Sequence, residues 1–540
     1  MAGQDLNVSG QSVQSTGTLA AGIDADGNMT QAGNLTLRGT QSVSATGQNL
    51  AGTRLDASGG TVILAGSQTR ANGDIVLTGQ SGDVDLSKAT LTAGQVLSAN
   101  AAGTLRSDGA KVSTARLDAA AQALSNRAGT LYAQNGAHLA VRGDMDNAGG
   151  AILTDAGELN VSAAGKILNA DGRITNAGGG QTTVQAVRVE NSNRSGAAGA
   201  GTIGGNGALT LTADELANTE AGQLIAGTDM TLHLARTADN SRGQIYAAQR
   251  LTVTGDQVAW RNDGGTLSGK AIQFAGGSLS SRQGTILAQG ALQSRLAGDA
   301  DNSGGTVQAG DTLTLDAGGA LTNDGGQIAN IGTGSTHVTA ASIANSNKAK
   351  LGGNGDVLIQ AQRLASIAGA QLVSGKQLQL DFTQSFNNDG GKTYGGTGLT
   401  LNGLGASINN DGGSLASGGG TAIQATSFSN QAGKVLADAD IVLDATTLSG
   451  TGAVHAGRDL SVTTQGDYVN AAGNLLKAER NLTFGTSGTF TNQGRFEAVN
   501  TLALSASRIE NRAAPSSTPP PRGSPPRPRS PMPAGSKAIR

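Results

Sequence analysis

The sequence predicts an all-β fold: a single-stranded parallel β-helix, a solenoid of about 21 residues per coil, carrying a disordered Pro-rich tail. Three observations predict it. A motif recurs at a fixed period, apolar and polar residues alternate inside each repeat, and proline is confined to one end of the chain.

The period is set by Asn-x-Gly-Gly. In-phase copies begin at Asn147, Asn262, Asn302, Asn323, Asn388 and Asn410. Their glycine pairs are Gly149-Gly150, Gly264-Gly265, Gly304-Gly305, Gly325-Gly326, Gly390-Gly391 and Gly412-Gly413. Looser copies place Asn at 126, 169, 191, 218, 240, 345, 430, 470, 492 and 511, and Ser281, Ser366 and Gly450 fill the remaining slots. From Asn126 to Asn511 is 385 residues in 18 steps, a mean of about 21.4. One step, Asn191 to Asn218, is long because it crosses a Gly/Ala-rich insertion. Asn and Gly supply the positive-φ positions that tight corners need.

Between corners the texture is alternation: Leu209-Thr210-Leu211, Leu313-Thr314-Leu315, Leu399-Thr400-Leu401, Leu482-Thr483-Phe484. That pattern sends the aliphatic residue inward and Thr outward on a strand. No segment carries a helical i, i+3, i+4, i+7 stripe, which sets aside leucine-rich repeats of similar period. Each coil therefore has room for three strands of four or five residues. A core one or two side chains wide explains why aromatics are only 2% of the chain.

All nine prolines lie in 515–540, a stretch with five basic residues and no acidic one. A backbone whose N–H groups are nearly all paired cannot accept Pro. The predicted organisation is a repeat region over 1–514, of looser phase in 1–125 and regular in 126–514, and a disordered Pro/Arg-rich tail over 515–540. In the early part Leu35-Thr36-Leu37, Val62-Ile63-Leu64, Ile75-Val76-Leu77 and Val84-Asp85-Leu86 continue the texture. The abrupt change after Asn511 is that of a linker to a further domain or of a frame-shifted reading of more repeat. The chain has no Cys, so no disulfide framework or thiolate chemistry is available. A formal net charge of −2 gives no reason to expect a nucleic-acid partner. Met1–Asn7 has neither the basic nor the apolar region of a signal peptide, and no apolar run is long enough for membrane insertion.

The pattern Asn-x-Gly-Gly-x-Ile/Val-x-Ala-Gly-x-x-Leu-x-Leu, clearest at Asn302–Leu315 and Asn218–Leu232, resembles the repeats of filamentous haemagglutinin and related two-partner-secretion exoproteins of Gram-negative bacteria. The resemblance implies a secreted or cell-surface rod, threaded through an outer-membrane secretion partner. It also implies adhesion to a host-cell glycan or receptor, or contact with neighbouring bacterial cells. The export signal is expected on sequence outside this chain.

Motifs with chemical meaning are weighed against the repeat itself. Gly264–Ala271 resembles a phosphate-binding loop but has Ala271 where the magnesium-holding hydroxyl belongs. Gly199–Gly204 matches a dinucleotide fingerprint without a βαβ unit, and Gly352–Asp356 is a single copy of a calcium-repeat-like stretch. The four histidines, His138, His233, His337 and His455, are scattered, and His233 between two leucines is expected to face solvent. No cofactor or metal is expected.

Arg142-Gly143-Asp144 is an integrin-type cell-attachment candidate. Gly298-Asp299 and Gly466-Asp467 stand in the same phase before their asparagines, so the repeat explains all but Arg142. Phe386, Phe428 and Phe484 are expected in the core, and Trp260 and Tyr394 on the surface. Asp263, Asp301, Asp324, Asp389 and Asp411 stand at the corners, but no basic residue recurs in phase with them to build a polysaccharide-cleaving site. The reading is a non-enzymatic rod segment of a surface adhesin. The alternatives are the stalk of a contact-dependent toxin-delivery exoprotein and, remotely, a β-helix polysaccharide-degrading enzyme.

Overall fold

The computed structural model describes residues 1–512 and the backbone of Ala538–Ile539; otherwise the expected tail, 515–540, lies outside the described residues. Among the described residues every regular element is a β-strand. The chain divides into two compact units, Met1–Ala288 and Gln289–Arg540. Each is a parallel β-solenoid.

One coil of the second unit shows the plan. After the Asn302–Gly305 corner comes a four-residue strand, Thr306–Ala309, and then a longer strand, Leu313–Asp324. The long strand bends where its register against the next coil slips between Ala317 and Ala320, so it supplies two faces. The expected three short strands are thus often two. The bend is made by Gly and Ala, which turn the backbone without breaking its pairing. Leu313, Leu315 and Leu321 point into the coil and are buried. Thr306, Thr314 and Asp316 lie outside them, as a pleated strand requires.

The two corner glycines are needed for different reasons. The first adopts a left-handed conformation: φ is 63° at Gly149, 62° at Gly264, 62° at Gly325 and 63° at Gly412. Other corners force non-glycine residues into the same region, such as Ala128, Asp171, Arg242 and Gln283, at about 1 kcal/mol apiece. The second glycine has no such freedom to be replaced. A Cβ on Gly150 would lie 1.9 Å from the Asn126 carbonyl oxygen, and on Gly265 2.0 Å from that of Asn240. Adjacent coils approach too closely there for any side chain.

The coils before Asn126 keep the same stacking. Leu35, Leu55, Ile75, Leu97 and Leu117 lie one above another, in steps of 20, 20, 22 and 20 residues. What differs is the residue in the corner column. The backbone N–H of Leu64 reaches the coil of Leu86, which reaches that of Ser107, which reaches that of Asn126. Buried Leu64 and Leu86 therefore occupy the slot that later holds Asn.

Phe386, Phe428 and Phe484 are buried, and Tyr394 is 44% exposed. Trp260, expected on the surface, is only 2% exposed and packs edge-on against Phe274 at 5.2 Å. It sits two residues before Asn262, an inward slot like those of Phe386 and Phe428. Near the end of the second unit the third face is interrupted. Tyr468–Asn470, Thr489–Asn492 and Arg508–Asn511 form a separate sheet, past the coil where Gly450 replaces Asn. Tyr468, Phe484, Phe490 and Phe496 fill the interior there, with neighbouring ring centroids 4.8–6.0 Å apart.

Candidate functional site

The corner asparagines form a buried column. In the first unit each Nδ2 donates to the next Oδ1 at 2.7 Å from Asn126 through Asn147, Asn169, Asn191 and Asn218 to Asn240. Asn240 continues to Asn262 at 2.8 Å, and Asn262 donates to the Ser281 hydroxyl at 3.1 Å. The second unit has shorter runs: Asn302 to Asn323 to Asn345, Asn388 to Asn410 to Asn430, and Asn470 to Asn492 to Asn511. Many of these amides also feed their own corner, as Asn147 does by donating to the Gly150 carbonyl at 3.2 Å, and others, such as Asn218 and Asn410, donate to a carbonyl of the next coil. A buried amide satisfied on both sides contributes about 0.5–1.5 kcal/mol net.

Carboxylates do related work on the outside. Asp144 Oδ1 accepts the Lys166 amide of the next coil at 2.8 Å. Asp299 accepts that of Ala320 at 2.8 Å, and Asp467 that of Thr489 at 2.7 Å. In Arg142-Gly143-Asp144, then, the last two residues share the coil-joining geometry of their in-phase counterparts, and Arg142 has no ionic partner among the described residues. The corner carboxylates behave similarly. Asp263 accepts from Ser280 Oγ and the Arg282 amide, and Asp411 from Ser429 Oγ and the Gln431 amide. Asp324 accepts from Ser346 Oγ at 2.8 Å. Asp459 is held from both sides of its carboxylate by Arg480, whose hydrogen bonds pull its pKa down to about 2.

The histidines are separate. His138 and His233 are exposed, and His233 Nδ1 lies 2.7 Å from Thr254 Oγ1. His337 Nε2 meets Gln360 Oε1 at 3.0 Å and His455 Nε2 meets Glu479 at 2.8 Å. Among the described residues no three His, Asp or Glu side chains gather to hold a metal. Gly264–Ala271 is a corner followed by the strand Thr266–Gly276, and Gly199–Gly204 closes the insertion loop.

Sequence reasoning missed the concave surfaces. In the first unit a groove of about 880 Å³ runs along the bend of the long strands from Val141 and Arg142 to Gly255 and Asp256. In the second, a groove of about 580 Å³ follows the same bend from Asp316 to Leu404. One polar side chain per coil forms a wall in strict register: Ser162, Gln185, Thr212, His233 and Thr254 in the first. In the second they are Asp316, Thr339, Gln360, Asp381 and Asn402. Beside the walls lie small buried residues, Ala163, Ala186 and Ala213 in one and Ala317 and Ala340 in the other. The signal in the sequence was slight: six of the ten wall residues are followed by Ala, the other four by Leu, Gly or Phe.

The haemagglutinin repeat family matches residues 2–79, 80–149, 127–193, 331–383, 353–410, 393–470 and 456–514. The stretch between 193 and 331 falls outside these matches yet continues the same coils and asparagine column. A toxin CdiA of Yersinia pestis is 35% identical over 139 residues, 25% of this chain and 4% of that protein. A tRNA nuclease CdiA-2 of Burkholderia pseudomallei (strain 1026b) is 36% identical over 103 residues, 19% of this chain and 3% of that protein. The chain thus spans a few per cent of the length of these relatives. No solved structure matches.

Proposed function

Because the chain belongs to the haemagglutinin-repeat family of two-partner-secretion exoproteins, we propose that it is a non-enzymatic stalk segment of a secreted or cell-surface adhesin, bearing or presenting the contacts that attach one cell to another. The observation that supports this most is the repetition of one coil, joined by the asparagine column, with its chemical variety confined to outward positions. The family and the fold are those of a structural repeat. Among the described residues no helix is long and apolar enough to cross a membrane. The family implies an outer-membrane partner for export, and this chain would reach it unfolded. Host-cell glycans or receptors are the proposed targets.

A second reading has its own support. One relative is named a toxin and the other a tRNA nuclease, so the stalk would carry a toxic module to neighbouring bacteria instead. Bacteria displaying the full exoprotein separate the two. Adhesion predicts binding to host cells above that of bacteria lacking the gene. Delivery predicts growth inhibition of neighbours without it. A stalk of either kind tolerates loss of 35–74, two whole coils whose removal joins Asn34 to Ile75 in the slot of Leu35, and not loss of half a coil. Failure of both assays overturns the proposal. Attachment through Arg142-Gly143-Asp144 is part of it: Arg142→Ala should lower host-cell binding with an unchanged unfolding temperature, and unchanged binding removes the tripeptide.

A further inference from the structure

We infer that the two bend grooves are binding sites for a linear, neutral, β-linked oligosaccharide, lying along the solenoid axis with one sugar ring per coil. This rests on the surface-exoprotein reading and names the ligand class of its contact surface.

The first argument is spacing. Each groove presents five wall residues, one from each of five successive coils, held by parallel pairing at about 4.8 Å per coil. A β-1,4-linked pyranose chain advances by a closely similar step, so each ring lies against one wall residue, successive rings presenting alternate edges to side chains that can donate or accept. The second is the chemistry of the wall. The hydroxyls, amides and imidazole both donate and accept, as sugar hydroxyls require, and Asp316 and Asp381 of the second wall add carboxylate acceptors. They are also pre-ordered: Gln360 Nε2 donates to Asp381 Oδ2 at 3.1 Å and Asn402 Nδ2 to Asp381 Oδ1 at 2.7 Å, and His233 meets Thr254 at 2.7 Å.

The third argument is charge. No column of Arg or Lys lines either groove. In the first, Asp214 is answered by Arg236 at 3.5 Å, while Arg142 and Asp256 stand near opposite ends. That excludes an extended polyanion. Apolar contact for ring C–H faces comes from the alanines and from Val187 and Leu404, 42% and 86% exposed at the groove edges. The same arrangement of five polar side chains occurs twice, once in each unit, neutral in the first and with two carboxylates, Asp316 and Asp381, in the second.

Calorimetric titration of the purified full chain with cellobiose through cellohexaose, and with chitohexaose, tests this. Affinity should rise with length through five sugars and then level off, at two sites per chain. Val187→Arg should reduce the count to one, and Val187→Arg with a second arginine at Ala341, which lines the second groove beside Ala340 (Ala341→Arg), to none, with circular dichroism unchanged. Should the double variant misfold, Thr212→Ala and Gln360→Ala together should weaken binding about tenfold through lost hydrogen bonds. Absence of binding by both hexasaccharides at millimolar concentration overturns the inference. So does affinity independent of length, tighter binding of a heparin hexasaccharide, or binding that survives the groove variants. Because the titration uses purified chain, its failure leaves the attachment and inhibition assays of the displayed exoprotein to judge the stalk reading on their own.

Discussion

Residues 173–232 of the first unit and 327–380 of the second are two versions of one two-coil passage. Ile174, Asn176, Gly178, Gly180, Thr182, Val184 and Ala186 return as Ile328, Asn330, Gly332, Gly334, Thr336, Val338 and Ala340, and Gly204-Gly205-Asn206-Gly207 returns as Gly352-Gly353-Asn354-Gly355. The contacts return too. Asn176 accepts the Gly178 amide and donates to the Gly180 carbonyl; Asn330 accepts from Gly332 and donates to Gly334. Asn206 donates to the Ala177 carbonyl at 2.6 Å and Asn354 to that of Ile331 at 2.7 Å.

They differ in two respects. Ten residues, 194–203, separate Asn193 from Gly204, whereas four, 348–351, separate Asn347 from Gly352. The asparagine column runs on from Asn191 to Asn218 in the first, whereas Asn345 meets Ser366 at 3.4 Å in the second. The comparison teaches which parts of a coil are fixed by stacking and which are free. Glycines under a neighbouring carbonyl persist; the corner's outer loop tolerates six more residues.

The largest effect is expected where the copies agree. A Cβ on Gly204 would lie 1.8 Å from the Ile225 carbonyl oxygen, and on Gly352 1.8 Å from that of Val373, with φ of 127° and 154°. Gly204→Ala and Gly352→Ala should each cost more than about 2 kcal/mol in urea unfolding, by similar amounts. A tolerated change at one site alone would break the equivalence. Asn191→Ala should cost about 1–3 kcal/mol by orphaning buried amide groups, and Asn345→Ala less, because its forward contact is already long. Ser366→Asn should extend the column toward Asn388 and raise stability by about 0.5–1 kcal/mol; a loss would mean the slot is too narrow.

Deleting 194–199, which makes the first passage the length of the second, should change stability by less than about 1 kcal/mol, since loop length alone acts weakly. The smallest effect concerns acid. Hydrogen bonding from the Ser195 amide holds the Asp171 pKa below the ordinary carboxylate value. Its contribution is present above the unfolded-state value, near about 3.9, and is lost as pH falls through the lowered folded value. Protection of the insertion against hydrogen exchange should therefore fall in acid, and should fall less in Asp171→Ala; equal loss in both would remove the carboxylate as its cause.

The sequence made the coil legible because corners need rare chemistry. Asn fills most of the buried column because its amide donates to one coil and accepts from another, and only Gly fits beneath a carbonyl 1.9 Å from its would-be Cβ. The early coils were harder to place because Leu64 and Leu86 in that column look like ordinary core. Trp260 was misplaced although its position two before Asn262 matched that of the correctly placed Phe386 and Phe428. The grooves left no rare residue to notice. They arise from a register slip beside alanines, and their walls of Thr, Gln and Ser are indistinguishable from any solvated strand face.

The uniform column also has a consequence at the level of the gene. An asparagine in that slot makes the same bond to whichever coil lies next, so the interior cannot distinguish its second neighbour from its first. Unequal recombination that adds or drops whole coils would leave every rung intact, whereas a breakpoint within a coil would strand one. Length is therefore a trait such a gene changes easily and in quanta, and the paired passages at 173–232 and 327–380 have the form such an exchange leaves behind.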